Sequence, residues 1–231
     1  MNKTCYVLLS GGQDSTTCLF WAKTNFETVI AIGFDYGQRH AIELEKAKEI
    51  AKLANVPFEI INIKGLLSGS SLTDYEQLVT DAHVMDSSLP SSFTAGRNML
   101  FLTLAASKGY NNNIFDIVTG VCQTDYSGYP DCRRVFIDSL QTTLTLAMVN
   151  SISNNFRIHT PLMYLTKAET WKLAKELSTL EFNVVEIVRK LTLTDYNGDT
   201  TENEWGMGKL DNPASELRAK GYYEAKANNW I

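Results

Sequence analysis

The chain has 231 residues, of which 44% are hydrophobic and 20% are charged. This ordinary globular composition excludes a disordered tail, a collagen-like fibre and a disulfide-knotted miniprotein. Twenty-one basic residues against 26 acidic ones give a net charge of −5, which argues against non-specific nucleic-acid binding. The first apolar stretch is too short to cross a membrane. We therefore expect a soluble, cytoplasmic protein that acts on neither nucleic acid nor membranes.

Most of the chain alternates between strand and helix patterns. Strands are predicted at residues 5–9, 28–34, 58–61, 115–119 and 156–160, and helices at 14–23, 41–53, 98–107, 134–149 and 167–177. This alternation is typical of an α/β fold, a Rossmann-like parallel sheet with helices on both faces. The serine-rich, weakly periodic stretch 62–95 predicts a functional or disordered loop.

The C-terminal part of the sequence has a different character. From about residue 191 it is polar and rich in turn-forming residues, which indicates an appendage on the sheet and not a second core. We therefore divide the chain into a main domain, 1–190, and a small C-terminal lobe, 191–231.

The strongest feature lies between the first strand and the first helix, where residues 10–16 read Ser-Gly-Gly-Gln-Asp-Ser-Thr. A helix N-terminus offers backbone N–H groups to an anion, and two glycines let the backbone approach it closely. The hydroxyl side chains add further donors. The spacing fits neither a Walker A loop nor a dinucleotide fingerprint. A plain glycine turn, with Asp14 or Ser15 capping the helix, is the alternative interpretation.

This loop resembles the pyrophosphate loop of the N-type ATP pyrophosphatases, which share Ser-Gly-Gly-x-Asp-Ser. Further motifs narrow the resemblance: FDYGQRH at 34–40, AGRNMLFL at 95–102, GVCQTDYSGYPDCR at 120–133, TPL at 160–162 and TKAETW at 166–171. Together they are similar to the 7-cyano-7-deazaguanine synthase (QueC) family over residues 5 to about 221. That resemblance implies the Rossmann-like fold of the adenine nucleotide alpha hydrolases.

The resemblance implies an ATP-dependent C–N ligase that uses Mg²⁺ and forms AMP and pyrophosphate. ATP-binding residues are expected in the glycine loop, after the second strand and at the third long helix: Ser10, Gly11, Gly12, Gln13, Asp14, Ser15, Thr16, Phe34, Gln38, Gly96 and Arg97. Arg97, Lys167 and Asp14 are the candidate catalytic residues, because two cations suit the phosphates of ATP. Asp14 and Asp125 are candidate ligands for Mg²⁺.

The resemblance also implies 7-carboxy-7-deazaguanine as the small-molecule substrate. Its binding residues are expected after the fourth strand: Cys122, Gln123, Asp125, Tyr126, Tyr129, Asp131 and Arg133. The tyrosines offer flat faces to a heterocycle, Asp131 offers an acceptor for a guanine-like edge, and Arg133 suits a carboxylate. By analogy with the family, we expect a homodimer.

One part of the chain departs from the family pattern. Asp195, Lys209, Asn212 and Ser215 stand where the family has the four cysteines of a zinc knuckle. These side chains do not form a thiolate tetrahedron, so we predict no zinc at this place.

The departure leaves three functional hypotheses open. Because all four zinc ligands are replaced while the ATP motifs remain, we favour a ligase that joins the deazaguanine by an amide to an amine acceptor. A protein N-terminus is one such acceptor, and QueC-like proteins of anti-phage defence are a precedent. The first alternative is an ordinary preQ0 synthase that uses ammonia and ATP. The second is a non-catalytic sensor of a nucleotide or deazapurine.

Overall fold

The structure is a computed structural model that describes residues 3–38, 42–73, 83, 86–124, 129–149, 155–195 and 197–231. Its strands are β1 (Thr4–Leu8), β2 (Thr28–Asp35), β3 (Phe58–Asn62), β4 (Asp116–Val118), β5 (Arg157–His159), β6 (Glu202–Asn203) and β7 (Gly206–Met207). Its helices are α1 (Gln13–Asn25), α2 (Ile42–Leu53), α3 (Arg97–Asn111), α4 (Arg134–Met148), α5 (Lys167–Glu176), α6 (Val184–Leu191) and α7 (Pro213–Ala227).

The first five strands form one parallel sheet in the order β3-β2-β1-β4-β5. Leu8 of β1 pairs with Ile32 of β2 on one side, and Val7 pairs with Val118 of β4 on the other. The strand order therefore reverses at β1, between β2 and β4. In open α/β sheets ligands bind outside the carboxyl ends of the strands at such a reversal. A short antiparallel pair, β6-β7, lies outside this sheet.

Alternating side chains of the strands build a core on each face of the sheet. On β1, Cys5 and Val7 pack with residues of α1, α2, α5, α6 and α7, whereas Tyr6 packs with residues of α3 and α4. Trp205, Ala219 and other residues of the C-terminal lobe belong to the first of these cores. The lobe thus completes one side of the main core by apolar burial, which is the dominant stabilising contribution in folding.

The expected fold class is confirmed: the sheet is parallel, Rossmann-like and covered by helices on both faces. The ten predicted strands and helices of the main domain all form, with ends that differ by a few residues. Sequence reasoning missed α6, α7 and the β6-β7 pair. Within the described residues, no helix is long and apolar enough to span a bilayer, and the four cysteines are free.

The described parts of the stretch 62–95 are held together by buried hydroxyl groups. Ser70 and Thr94 share a 2.7 Å hydrogen bond between their side-chain oxygens, and Ser91 Oγ donates to Ser71 Oγ at 3.1 Å. Ser70, Ser71 and Ser91 are fully buried. Buried hydroxyls that satisfy one another stabilise a fixed arrangement, so the two ends of this stretch are tied to each other.

Helix α4 offers a direct test of the second core. Ile137 is fully buried, whereas Val135, two residues earlier, is 69% exposed. We expect Ile137→Ala to lower the free energy of unfolding by roughly 2–5 kcal/mol, because it leaves a cavity. Val135→Ala should change it by no more than about 0.5 kcal/mol. Urea unfolding followed by circular dichroism measures both, and equal losses would contradict the assigned packing of α4.

Candidate active site

The glycine loop between β1 and α1 is fixed by close backbone contacts. Gly11 has a left-handed φ of 90°, and a β-carbon placed there would lie 2.4 Å from the backbone oxygen of Glu43 and 2.9 Å from the backbone nitrogen of Ala47. Any larger residue at this position would therefore collide with the first turns of α2. A glycine is required here for both its φ and its size.

The N-terminus of α1 faces the carboxyl edge of the sheet without a side-chain cap. Its N-cap residue is Gly12, which has no side chain that could accept from the N–H groups of the first turn. Ser15 Oγ instead donates to Gly12 O at 3.2 Å and lies 3.1 Å from Ser10 Oγ. The interpretation of Asp14 or Ser15 as a plain helix cap is therefore wrong. An uncapped N-terminus of a 13-residue helix favours an anion.

Two polar side chains of α1 are buried without hydrogen-bond partners. Gln13 is 2% exposed, and both its amide oxygen and its amide nitrogen lack a partner; the hydroxyl of the fully buried Thr16 does too. Gln13 also lines the cavity beside the loop. Leaving a buried polar group unpaired costs about 1–3 kcal/mol, and such groups occur where a ligand supplies the missing bonds.

Asp14 and Lys167 form an ion pair beside the loop. Lys167 Nζ lies 3.0 Å from Asp14 Oδ1 and 2.8 Å from Oδ2. Lys167 begins α5, whose N-terminus is fixed by a capping box between Thr166 and Glu169. On the other side, Gly221 of α7 packs against the lysine so closely that a β-carbon there would lie 2.8 Å from Lys167 Cβ. The structure thus brings together two of the three predicted catalytic residues, Asp14 and Lys167.

A cavity of about 280 Å³ opens at the carboxyl edge of the sheet. It is lined by residues of the glycine loop, of β2 and α3 and of the C-terminal lobe, among them Ser10, Asp14, Phe34, Arg97, Tyr129 and Thr194. The anion-binding loop, a guanidinium group and aromatic rings therefore share one space. This combination suits a ligand with a phosphate chain at one end and a flat ring at the other.

The aromatic wall is built from β2 and α3. The rings of Phe34 and Phe101 stack with centroids 4.2 Å apart and an angle of 3° between their planes, and Tyr36 meets Phe101 at 5.6 Å. Gln38 folds back on the same strand end, because its amide accepts from Tyr36 N and donates to Phe34 O. Phe34 and Gln38 thus line the cavity as predicted, but the Gln38 amide already serves the backbone.

Helix α3 presents Arg97 to the cavity from its first residue. Gly96 is the N-cap and has a left-handed φ of 70°. A hydrogen bond and the positive charge of Arg97 act to lower the pKa of Tyr36, but burial outweighs them and raises it to about 12. Asp131 accepts from Asn98 N at 3.0 Å and from Asn98 Nδ2 at 3.2 Å. The carboxylate of Asp131 thereby fixes the start of α3.

The predicted substrate residues are only partly brought together. Tyr129 and Cys122 line the cavity, and Tyr129 Oη bonds to Ser92 Oγ at 2.7 Å. Gln123 and Arg133 are exposed, and the Gln123 side chain accepts from the backbone of Arg134 at the start of α4. Asp125 and Tyr126 lie outside the described residues, so their predicted roles, including the Mg²⁺ site of Asp125, stay predictions.

Several residues of the cavity wall escaped sequence reasoning, and three of them matter for the site. Leu193 and Thr194 reach the wall from the C-terminal lobe, and Glu43 reaches it from α2. Glu43 is the charged member of this group. Burial raises its pKa to about 7, and the positive charge of Arg97 only partly offsets that rise. No motif marks Glu43 in the sequence, because its approach to Gly11 exists only in the folded chain.

A parallel sheet with an uncapped helix N-terminus at its point of reversal, faced by cations and aromatic rings, defines a nucleotide-binding enzyme of the ATP pyrophosphatase class. Comparison with known proteins then specifies the family. The model of the family described as queuosine biosynthesis protein QueC matches residues 4–226. The chain belongs to this family.

Named relatives resemble the chain over nearly its whole length. It is 47% identical to a 7-cyano-7-deazaguanine synthase of Clostridium novyi, covering 97% of this chain and 96% of the relative. It is 48% identical to the enzyme of the same name from Bacteroides fragilis, covering 96% of each. Among solved structures, the NMN synthetase from Francisella tularensis matches 98% of this chain and 86% of its own, at 17% identity and a TM-score of 0.49. That last likeness is remote.

The raised pKa of Glu43 predicts a pH-dependent stability. The folded protein holds this proton up to about pH 7, whereas the ordinary value is 4.5. The contribution of this proton to the free energy of unfolding is therefore fully present below the ordinary pKa of 4.5. It is lost as the pH rises through the folded-state pKa of about 7. We expect Glu43→Gln to remove this loss, on the order of 2 kcal/mol between about pH 5 and about pH 8.

Urea unfolding of both proteins across that pH range measures the effect. Glu45→Gln, which changes an exposed carboxylate on the same helix, is the matched control and should leave the pH dependence as it is. Parallel pH profiles for the natural chain and Glu43→Gln would show that Glu43 titrates normally.

Proposed function

We propose that this chain is a 7-cyano-7-deazaguanine (preQ0) synthase, which converts 7-carboxy-7-deazaguanine to its nitrile with ammonia and ATP. The observation that carries the proposal is the cavity in which the uncapped N-terminus of α1, Arg97 and an aromatic wall converge. The names of relatives that are 47–48% identical over 96–97% of the chain support the choice of substrate.

The triphosphate would lie along the glycine loop. Its oxygens would accept from backbone N–H groups of the first turn of α1 and approach Arg97 from the other side of the cavity. The adenine would lie near Phe34, whose ring is rigid because Phe101 stacks on it. Aromatic walls favour a flat base by stacking.

The first half of the reaction would form an amide. A carboxylate oxygen of the substrate attacks the α-phosphorus of ATP, the bond to the β-phosphate oxygen breaks, and pyrophosphate leaves. Arg97 suits the negative charge that develops on the phosphorus oxygens. The acyl-adenylate then reacts with ammonia: a C–N bond forms, the C–O bond to AMP breaks, and one proton is released.

The second half would remove the amide oxygen. The amide oxygen attacks the α-phosphorus of a second ATP and displaces pyrophosphate. Loss of AMP then carries the oxygen away, while the nitrogen gives up both of its protons to leave the nitrile. Both halves use the same phosphorus chemistry, so one loop and one set of cations suffice for two activations.

Mg²⁺ would enter with ATP. Such an ion needs only one or two carboxylates beside the phosphate oxygens, and Asp14 lies at the cavity wall in a suitable place. Because the Asp14 carboxylate is bonded to Lys167, binding of the ion would release the lysine toward the phosphates. When bound, Mg²⁺ would neutralise charge on the triphosphate.

The ammonia-dependent reaction is a better proposal than the amide conjugation that the sequence favoured. That preference rested on the four replaced zinc ligands. In the structure these residues bond to one another inside the C-terminal lobe, and the side-chain bonds of Asp195, Asn212 and Ser215 account for those three residues without a new acceptor. Nothing in the names of the compared relatives points to a protein acceptor or to anti-phage defence. A homodimer stays a prediction, which light scattering tests.

Product analysis tests the proposed reaction. We expect the purified protein, given ATP, Mg²⁺, 7-carboxy-7-deazaguanine and ammonium, to release AMP and pyrophosphate and to accumulate the nitrile, detected by mass spectrometry. An amide that persists with excess ATP would favour the conjugation hypothesis. Absence of AMP and pyrophosphate would favour the sensor.

Two lysines of α5 give a matched pair for the site itself. Lys167 is paired with Asp14 beside the loop, whereas Lys172 lies on the exposed side of the same helix and contacts Glu176. We expect Lys167→Met to lower kcat/KM for ATP by roughly 10²–10³-fold, because it removes a cation from the phosphates. Lys172→Met should leave the rate unchanged. Equal rates for the two variants would exclude Lys167 from the reaction.

A further inference from the structure

The C-terminal lobe is organised around one buried carboxylate. Asp195 is 1% exposed. Its Oδ2 accepts from the backbone N–H of Lys209 at 3.0 Å, from Asn212 Nδ2 at 2.9 Å and from Ser215 Oγ at 3.0 Å. Its Oδ1 accepts from the backbone N–H of Asn197 at 2.8 Å. Both oxygens of this buried carboxylate therefore accept hydrogen bonds.

These four hydrogen bonds lie where other members of the family are expected to carry a zinc knuckle. Asp195, Asn212 and Ser215 contact each other through their side chains, and Lys209 joins them through its backbone. The group is built from donors that already point at a carboxylate and contains no thiolate or imidazole. The residues present therefore do not fit zinc, and the hydrogen bonds hold together the same segments of chain.

The same lobe also holds a buried cation. Arg218 of α7 is fully buried, and burial lowers its pKa to about 10, so it remains charged at neutral pH. It donates to five acceptors: Val188 O at 2.9 Å, Thr192 O at 3.2 Å, Thr194 Oγ1 at 3.0 Å, Trp205 O at 3.3 Å and Arg189 O at 3.4 Å. A buried charge is tolerated when it is hydrogen-bonded in this way.

Two glycines make room for the side chains of Arg218 and Asp195. A β-carbon at Gly206 would lie 2.2 Å from Arg218 Nη2, and one at Gly208 would lie 2.9 Å from Asp195 Oδ2. Both glycines also have positive φ angles, 128° and 124°. The sequence Gly-Met-Gly at 206–208 is thus fitted to this arrangement of one anion and one cation.

The short segment 192–194, which contacts Arg218 and directly precedes Asp195, touches the phosphate loop. Leu193 N donates to Gly11 O at 3.1 Å, and both Leu193 and Thr194 line the cavity. Arg218 holds the residues on either side of Leu193, and Asp195 follows directly in the chain. One backbone hydrogen bond therefore links the phosphate loop to Leu193, and the neighbours of Leu193 are held by Arg218 and Asp195 of the C-terminal lobe.

We propose that Asp195 and Arg218 are positioning residues that set the place of the phosphate loop without a metal. Asp195 acts by joining its own part of the chain to Lys209, Asn212 and Ser215, and Arg218 acts by fixing Thr192 and Thr194 around Leu193. The inference rests on the proposed function only in that the loop binds the phosphates of ATP.

The first experiment weakens the carboxylate with little change in its shape. In Asp195→Asn, an amide nitrogen replaces one acceptor oxygen and opposes the N–H groups that face it. We expect the affinity for a non-hydrolysable ATP analogue to fall at least about ten-fold, and KM for ATP to rise similarly, with kcat within about three-fold. KM for 7-carboxy-7-deazaguanine and the far-ultraviolet circular dichroism should not change.

Asp199→Asn is the matched control, because it removes a partly buried carboxylate of the same lobe that pairs with the side chain of Lys209. It should leave the affinity for the nucleotide unchanged. A folded Asp195→Asn variant with the natural affinity would overturn the proposal.

A second variant decides the question even where Asp195→Asn does not fold. Replacing Asp195, Lys209, Asn212 and Ser215 together by Cys builds a tetrahedral thiolate site in the same place. We expect this chain to bind one zinc ion, to bind the nucleotide within about three-fold of the natural affinity, and to lose that affinity on chelation. The natural chain should contain no stoichiometric zinc and should be indifferent to the chelator. Zinc in the natural protein, or nucleotide affinity in the four-cysteine chain that survives chelation, would overturn the proposal.

The nucleotide titration also separates this inference from the proposed function. A natural chain that binds the analogue but makes no nitrile contradicts the proposed reaction and leaves the positioning role intact. A natural chain that does not bind the analogue contradicts both.

Discussion

The position of the phosphate loop is the constraint on which the rest of the site depends. The loop is held by backbone contacts on two sides: Gly11 approaches Glu43 and Ala47 of α2, and its carbonyl accepts from Leu193. Since these contacts use peptide groups, they leave the N–H groups at the start of α1 turned toward the cavity. The cations and aromatic rings are useful only because the loop stays at this place.

The local features of the fold were predictable because they depend on near neighbours in the sequence. Five short strands and their following helices could be recognised from periodicity, and the glycine loop from its spacing. Helix α6 was missed because its valines and isoleucine favour strands when read alone. Helix α7 was missed because it begins at Pro213 and contains Gly221, although proline is well tolerated in a first turn.

The site was predictable where its residues are part of a linear motif and unpredictable where tertiary contacts decide. Arg97 and Lys167 were named because they lie in motifs that resemble the family, and in the structure Arg97 lines the cavity and Lys167 pairs with Asp14 at its wall. The role of Asp131 could not be predicted, because only the folded chain shows that it fixes the start of α3 through Asn98. Leu193 carries no chemical signal at all, and its place beside Gly11 follows from packing across more than half of the chain.

The hydrogen-bonded core of the C-terminal lobe has a consequence for the conditions under which the protein keeps its shape. Thiolates bound to zinc are attacked by peroxide, and the ion itself must be supplied by the cell. An aspartate surrounded by amide and hydroxyl donors has no sulfur to oxidise, so this cluster offers peroxide no thiolate to attack.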